Sequence, residues 1–187
     1  MRSSEPLRVL TYGTKVLRQK AKPVTEFDGM TELGRQMLDE MHRKNGVGLA
    51  APQVGIDQRI IVADASNFDA TQQPIVLINP EILERKGEEA GIEGCLSLPG
   101  IEVEVVRSKQ IRVKAQTPKG EVLDFVAKNF FARILQHEID HLDGILLLDY
   151  LPPFERILAI WKLKKKIWRT DSEFLREKQR EALVSQL

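Results

Sequence analysis

The stretch "LQHEIDHLDG", Leu135 to Gly144, carries two of the chain's three histidines one helical turn apart. Residues i and i+4 share a helix face, so His137 and His141 can grip one metal ion. At about 100° per residue, Glu138 falls within an arc of about 100° with both histidines. It can therefore lean over the same ion without ligating it, as a base beside a metal-bound water would. The alternative is a core helix whose histidines only satisfy hydrogen bonds, and the motif alone does not choose between the two. The helical pattern starts near Lys128 and runs to Leu142, with Gly144 where a stop is expected. Phe130 and Ile134 lie on the side of the histidines, which predicts a buried motif.

Working outward, "MTELGRQMLDEMHRKNG" spaces Leu33, Met37, Leu38 and Met41 as a helix that ends at Asn45-Gly46. "VGLAAPQVG" is too rich in glycine and proline for a regular element. "QRIIVAD" and "PIVLINPEIL" read as strands, the second closed by its proline. "IEVEVV" alternates as a half-buried strand, and "KQIRVKAQ" and "EVLDFVA" flank the turn "TPKG" as a hairpin. Beyond Pro152-Pro153 an amphipathic segment carries Phe154, Ile157, Leu158, Trp161 and Trp168, followed by a charged tail. The expected fold is α+β: a single domain of short antiparallel strands around a central metal-binding helix, with a C-terminal helix. Residues 1–150 form the expected catalytic core and residues 151–187 a helical extension.

A chain of 187 residues, 42% of them hydrophobic, can fill one core. With 28 basic and 27 acidic side chains, its net charge of +1 calls for neither nucleic acid nor a membrane surface. The start "MRSSEPLRVL" lacks the apolar core of a secretory signal, and no apolar run approaches the roughly 18 residues of a membrane span. The single cysteine excludes an intrachain disulfide and fits a reducing, cytoplasmic setting.

Two imidazoles do not complete a metal site. The remaining candidates are His42, in the polar "HRKN" end of its helix, the carboxylates, and Cys95 in "EGCLSLPG". A lone cysteine is commonly a small buried hydrophobe, so the residues alone leave the third ligand open.

Three separated stretches, "GVGLAAPQVG" (Gly46–Gly55), "EGCLS" (Glu93–Ser97) and "QHEIDHLDG" (Gln136–Gly144), resemble the three signature motifs of the peptide deformylases, in the same order. The resemblance covers the chain from about Leu7 to Tyr150. It implies that Cys95, His137 and His141 bind the metal, with water in the fourth position, as a catalytic rather than a structural site requires. It carries over Glu138 as the general base and acid, Gln53 as a side-chain amide facing the oxyanion, and Leu96 as a backbone donor to it. It places the Gly48 backbone against substrate, and Val47, Phe130 and Ile134 around the methionine side chain. Glu93 would pair with Arg107 in the outer shell of the metal.

The implied activity is removal of the formyl group from formyl-methionyl peptides newly made on the ribosome. Fe²⁺ is the implied ion, with Zn²⁺, Ni²⁺ or Co²⁺ as substitutes that a Cys-His-His set also accepts. One departure stands out: Glu102 occupies a place where many members of that family carry an arginine that assists peptide binding. The basic run "WKLKKKIWR" could touch ribosomal RNA, as the resemblance implies for some members, although a solvated helix with one core-facing stripe is the favoured account of it. Two rival functions remain. An HExxH metalloprotease would take its third ligand from downstream of the helix, and a non-catalytic ribosome-binding module would have no use for Glu138 and Gln53.

Overall fold

The computed structural model describes the backbone of residues 7–184 and the side chains of residues 7–168. Helix α1 (Met30–Arg43) is followed by strand β1 (Gly48–Ala50), a 3₁₀ turn (Ala51–Val54), β2 (Ile60–Ala63) and the long β3 (Ile75–Lys86). Strands β4 (Glu89–Gly94), β5 (Glu102–Arg107), β6 (Gln110–Gln116) and β7 (Val122–Lys128) lead directly into helix α2 (Asn129–Leu142). A 3₁₀ turn (Leu147–Tyr150) precedes helix α3 (Pro153–Val184). The strands form a five-stranded sheet in the order β1-β2-β3-β6-β7 and a separate β4-β5 hairpin, antiparallel throughout. This is the α+β domain with a central helix and a C-terminal helix that the pattern predicts.

Helix α2 is buried on nearly every side. Leu135, Ile139 and Leu142 pack with Ile61, Leu77 and Val113 of the large sheet, each burial of that size contributing about 1.5–3 kcal/mol. Gly144 ends the helix at φ +74°, where a Cβ would also stand 2.8 Å from the Arg18 carbonyl. The alternation of β5 is as read: Val103, Val105 and Arg107 point inward while Glu102, Glu104 and Val106 face out.

Three local readings change. The segment "GLAAP" is regular: Gly48–Ala50 forms an edge strand paired with β2 alone, and its prolyl end tightens into a 3₁₀ turn. Pro80 does not close β3. The ladder with β6 shifts register between Ile78 and Glu81, and a bulge is where a strand tolerates a residue without an N–H. Asn79, at φ 51°, stabilises this break by exchanging hydrogen bonds of 2.8 and 2.9 Å with the Val24 backbone.

The third change concerns α3. The side chains that mark it as amphipathic point away from the core, with Phe154 71%, Trp161 62% and Trp168 70% exposed. Packing is done by Ala159, Ile160, Leu163 and Ile167 against a cluster that includes Leu17, Leu98 and Leu148. Residues 160, 163 and 167 follow the i, i+3, i+7 rule, so Trp161 and Trp168 lie about 100° round the helix from the buried stripe. No helix among the described residues is long and apolar enough to cross a membrane.

Candidate active site

Helix α2 presents His137 and His141 with ring centroids 4.9 Å apart. Cys95 arrives from the end of β4, and its Sγ lies 3.3 Å from His141 Nε2. Together the three side chains offer donor atoms within 4.8 Å of one another. His42 takes no part: it is exposed on α1, with Nε2 2.8 Å from Asp64 Oδ2. Of the candidates the residues left open, the structure brings Cys95 to the histidines.

Around this trio the polar groups are tightly arranged. His137 Nδ1 is held 2.9 Å from Glu93 Oε2, which leaves the other ring nitrogen to face Cys95 and His141. Glu93 accepts two hydrogen bonds from Arg107, both 3.0 Å, and one of 2.8 Å from Arg133 Nη1. Arg107 also donates to Asp140 and to the Tyr150 hydroxyl, and that hydroxyl donates to Asp140 at 2.7 Å. The Glu93–Arg107 pairing is the expected one, whereas Arg133 and Tyr150 carry no sequence signal that would have placed them here. Burial pushes the Glu93 carboxyl up, but the His137 and Arg107 hydrogen bonds outweigh it and hold the group at about 2.

Glu138 is buried beside the trio, and burial raises its pKa to about 7 against the opposing pull of His137. His141 is kept well below its ordinary value, first by burial and then by the positive charges of His137 and Arg107. Glu138 Oε2 and His141 Nδ1 are buried polar atoms without a protein partner among the described residues. A thiol and two imidazoles of converging geometry, one of them already oriented by a carboxylate, fit a borderline-soft divalent ion.

These groups open onto a cleft of about 480 Å³. Val47, Gly48, Gln53, Leu96, Phe130 and Ile134 all line it, with His137 and Glu138 at its floor, while His141 lies behind. Gln53 is oriented by its own loop: Oε1 accepts the Ala50 N–H at 2.8 Å, so the amide NH₂ must face Ser97 Oγ (3.2 Å) and Cys95 Sγ (3.6 Å). Phe130 is part exposed and rests on Phe68, ring centroids 4.3 Å apart. Glu102 stands exposed at the start of β5, opposite Gly94 in the hairpin.

Gly48 has a second reason to be glycine. A Cβ there would meet the Glu138 side chain, 2.8 Å from Cδ and 2.9 Å from Cγ. Gly48→Ala is therefore expected to displace the carboxylate and lower turnover by roughly tenfold or more, since small misplacements of a reacting group are costly. Steady-state rates on metal-loaded, folded variant decide this, and a wild-type rate would show that the carboxylate has room to spare.

The sequence profile of the family described as polypeptide deformylase matches residues 6–156. The chain is 48% identical over 162 residues to a peptide deformylase of Thermotoga petrophila, covering 86% of this chain and 93% of that one. It is 52% identical over 138 residues to a peptide deformylase of Dictyoglomus thermophilum, covering 73% and 87% respectively. Among solved structures, a peptide deformylase of Legionella pneumophila superposes with a TM-score of 0.82 at 38% identity, over 90% of this chain and 98% of that one. With the family profile, the relatives and the solved structures in agreement over most of its length, the chain belongs to the polypeptide deformylase family.

Proposed function

We propose that the protein hydrolyses the N-terminal formamide of formyl-methionyl peptides, with Cys95, His137 and His141 holding the metal and Glu138 moving the proton. The convergence of Cys95 with the two histidines, beside a buried carboxylate oxygen that has no partner among the described residues, carries this reading. The bound ion supplies Lewis acidity to the formyl oxygen. Glu138 takes a proton from the attacking water as the new C–O bond forms. When the C–N bond breaks it gives that proton to the departing amine, and formate is released. A positioned acid–base of this kind is worth ~10²–10⁴-fold.

The Gln53 NH₂ and the Leu96 N–H, which has no acceptor among the described residues, donate to the oxygen that gathers negative charge. Loss of one such donor costs roughly 2.7–4 kcal/mol in comparable sites. Among the described residues strand β1 has a neighbour on one side only, so an extended peptide can pair along Gly48 while Val47, Phe130 and Ile134 enclose the methionine side chain. Fe²⁺ is the working ion in this proposal, and Zn²⁺, Ni²⁺ or Co²⁺ can replace it in purified protein. A thiolate ligand of Fe²⁺ is suited to a reducing cytoplasm. Residues 1–150 act as the catalytic core and residues 151–187 as an appendage to it.

The test compares formate release from formyl-Met-Ala-Ser with cleavage of an unformylated peptide. Cleavage of internal bonds without formate release would favour a metalloprotease. Absence of either activity in metal-loaded protein would leave a binding module.

The same proposal extends α3 to the ribosome. Lys162, Lys164 and Lys165 are exposed, and Lys165 Nζ lies 5.1 Å from the centroid of the Trp161 ring. The side chain of Arg169, the last residue of the basic run, is outside the described residues. Lys166 is left unaltered because its Nζ occupies the space beside Gly100 at the cleft rim, 2.5 Å from where a Cβ would stand on that residue. Replacing the other three lysines with glutamate is expected to weaken ribosome co-sedimentation about tenfold or more at low salt, and less as salt rises. Turnover of a short free formyl peptide is expected to stay unchanged. Equal co-sedimentation of variant and wild type at both salts would remove the ribosome contact.

A further inference from the structure

The three metal-binding side chains belong to two pieces of structure. His137 and His141 sit on α2, whereas Cys95 follows β4, in a hairpin that shares no ladder with the large sheet. A two-stranded hairpin is marginal by itself, and this one leaves Ile92 and Val106 exposed on its outer face. The spacing of thiol and imidazoles therefore depends on how the hairpin is seated against α2.

Arg133, one helical turn before His137, reaches from α2 across both strands. Its Nη1 donates to Glu93 Oε1 at 2.8 Å and to the Val105 carbonyl at 3.0 Å, with the Gly91 carbonyl at 3.5 Å. Nη2 donates to the Glu89 carbonyl at 2.7 Å. Glu89, Gly91 and Glu93 are alternate residues of β4, so the guanidinium lies along the strand towards Cys95. Gly91 makes the space, since a Cβ there would stand 2.9 Å from Cζ and Nη2. Arg107 acts in the opposite sense: it starts on the hairpin and reaches Asp140 of α2.

We propose that Arg133 is a positioning residue for the metal centre, seating the Cys95 hairpin on α2 and so setting the thiol against the two imidazoles. This rests on the ligand assignment above but not on the identity of the substrate. A planar fork with fixed donor directions holds carbonyls spaced along the strand and a carboxylate from two separate nitrogens, whereas a lysine offers a single nitrogen with rotatable donors.

The experiment uses Co²⁺-loaded protein and follows the thiolate-to-cobalt absorption and the rate of cobalt release to a chelator. Arg133→Met is expected to shift or weaken the absorption and to speed release roughly tenfold or more, as loss of an outer-shell partner does. Arg133→Lys is expected to restore the charge without restoring the spectrum. Gly91→Ala, which keeps the arginine but crowds its guanidinium, is expected to move both readouts in the same direction by less. An arginine that merely stabilises the fold would lower the melting temperature and leave the spectrum and release rate of the folded protein at wild type, which overturns the proposal. Should Arg133→Met not fold, Gly91→Ala decides by the same readouts. Formate release by wild type, assayed separately, tells a failure here from a failure of the deformylase reading.

Discussion

Glu138→Gln is expected to keep the protein folded and metal-loaded while turnover of a formylated peptide falls by ~10²–10⁴-fold. Glutamine has nearly the shape of glutamate, so it fits the space that Gly48 leaves beneath β1. In the proposed assignment it removes no metal ligand, because Cys95, His137 and His141 are the side chains that could hold the ion. The amide can hydrogen-bond the attacking water but cannot accept its proton. The loss is thus confined to proton transfer, and it should appear in kcat while KM changes little. Metal content and rate must be read on the same preparation. Near wild-type turnover in a fully loaded variant would take Glu138 out of the mechanism.

How much of this site is legible in the sequence depends on how many elements a feature spans. His137, Glu138 and His141 share one helix, and helical periodicity alone puts them together. Cys95 is remote from them in sequence and meets His141 only through the seating of the hairpin. Residue type and spacing left it as one candidate among several, and the resemblance of three motifs singled it out. Arg133 shows the limit of both routes. It looks like a solvated helix charge until β4 and β5 are folded against it and its partners prove to be the buried Glu93 carboxylate and backbone carbonyls, the latter without any sequence signature. For Gly48 the resemblance implies a backbone contact with substrate, but that it clears room for Glu138 was not legible, because that contact joins β1 to α2.

The fold shows the same division. The alternation in β5 and the pattern of α1 are local, and both appear as read. In α3 the amphipathic pattern names the apolar side chains but does not say which of them face the core. Large aromatics dominate an amphipathic pattern, yet the smaller stripe of Ala159, Ile160, Leu163 and Ile167 matches the surface available between Leu17 and Leu148. Which side of a helix docks is decided by the partner surface. The exposed tryptophans that result make α3 the natural place to look for a macromolecular contact, with Lys165 lying over the Trp161 ring.

Cys95→Ser is expected to lose the metal and, with it, turnover. Removing an outer-shell partner of a ligand costs roughly 10–100-fold in metal affinity, and removing the ligand itself is expected to cost more. Serine preserves the size of the side chain at the end of β4, so the hairpin and its Glu93–Arg107–Arg133 contacts should survive. What changes is the donor. Cysteine binds a metal as a soft thiolate, whereas a serine hydroxyl is hard and stays protonated near neutral pH. The Gln53 amide, 3.6 Å from Sγ, gains an oxygen to donate to, but a neutral hydroxyl cannot restore the charge that a thiolate brings to the ion. Wild type and variant, loaded with the same ion and dialysed against the same chelator, should differ in metal retained while their circular dichroism agrees. Equal retention would exclude Cys95 as a ligand and leave a two-histidine site in need of another donor. Glu138, whose buried Oε2 has no partner among the described residues, would then be the first to test, and the role given to it as a proton carrier would fall at the same time.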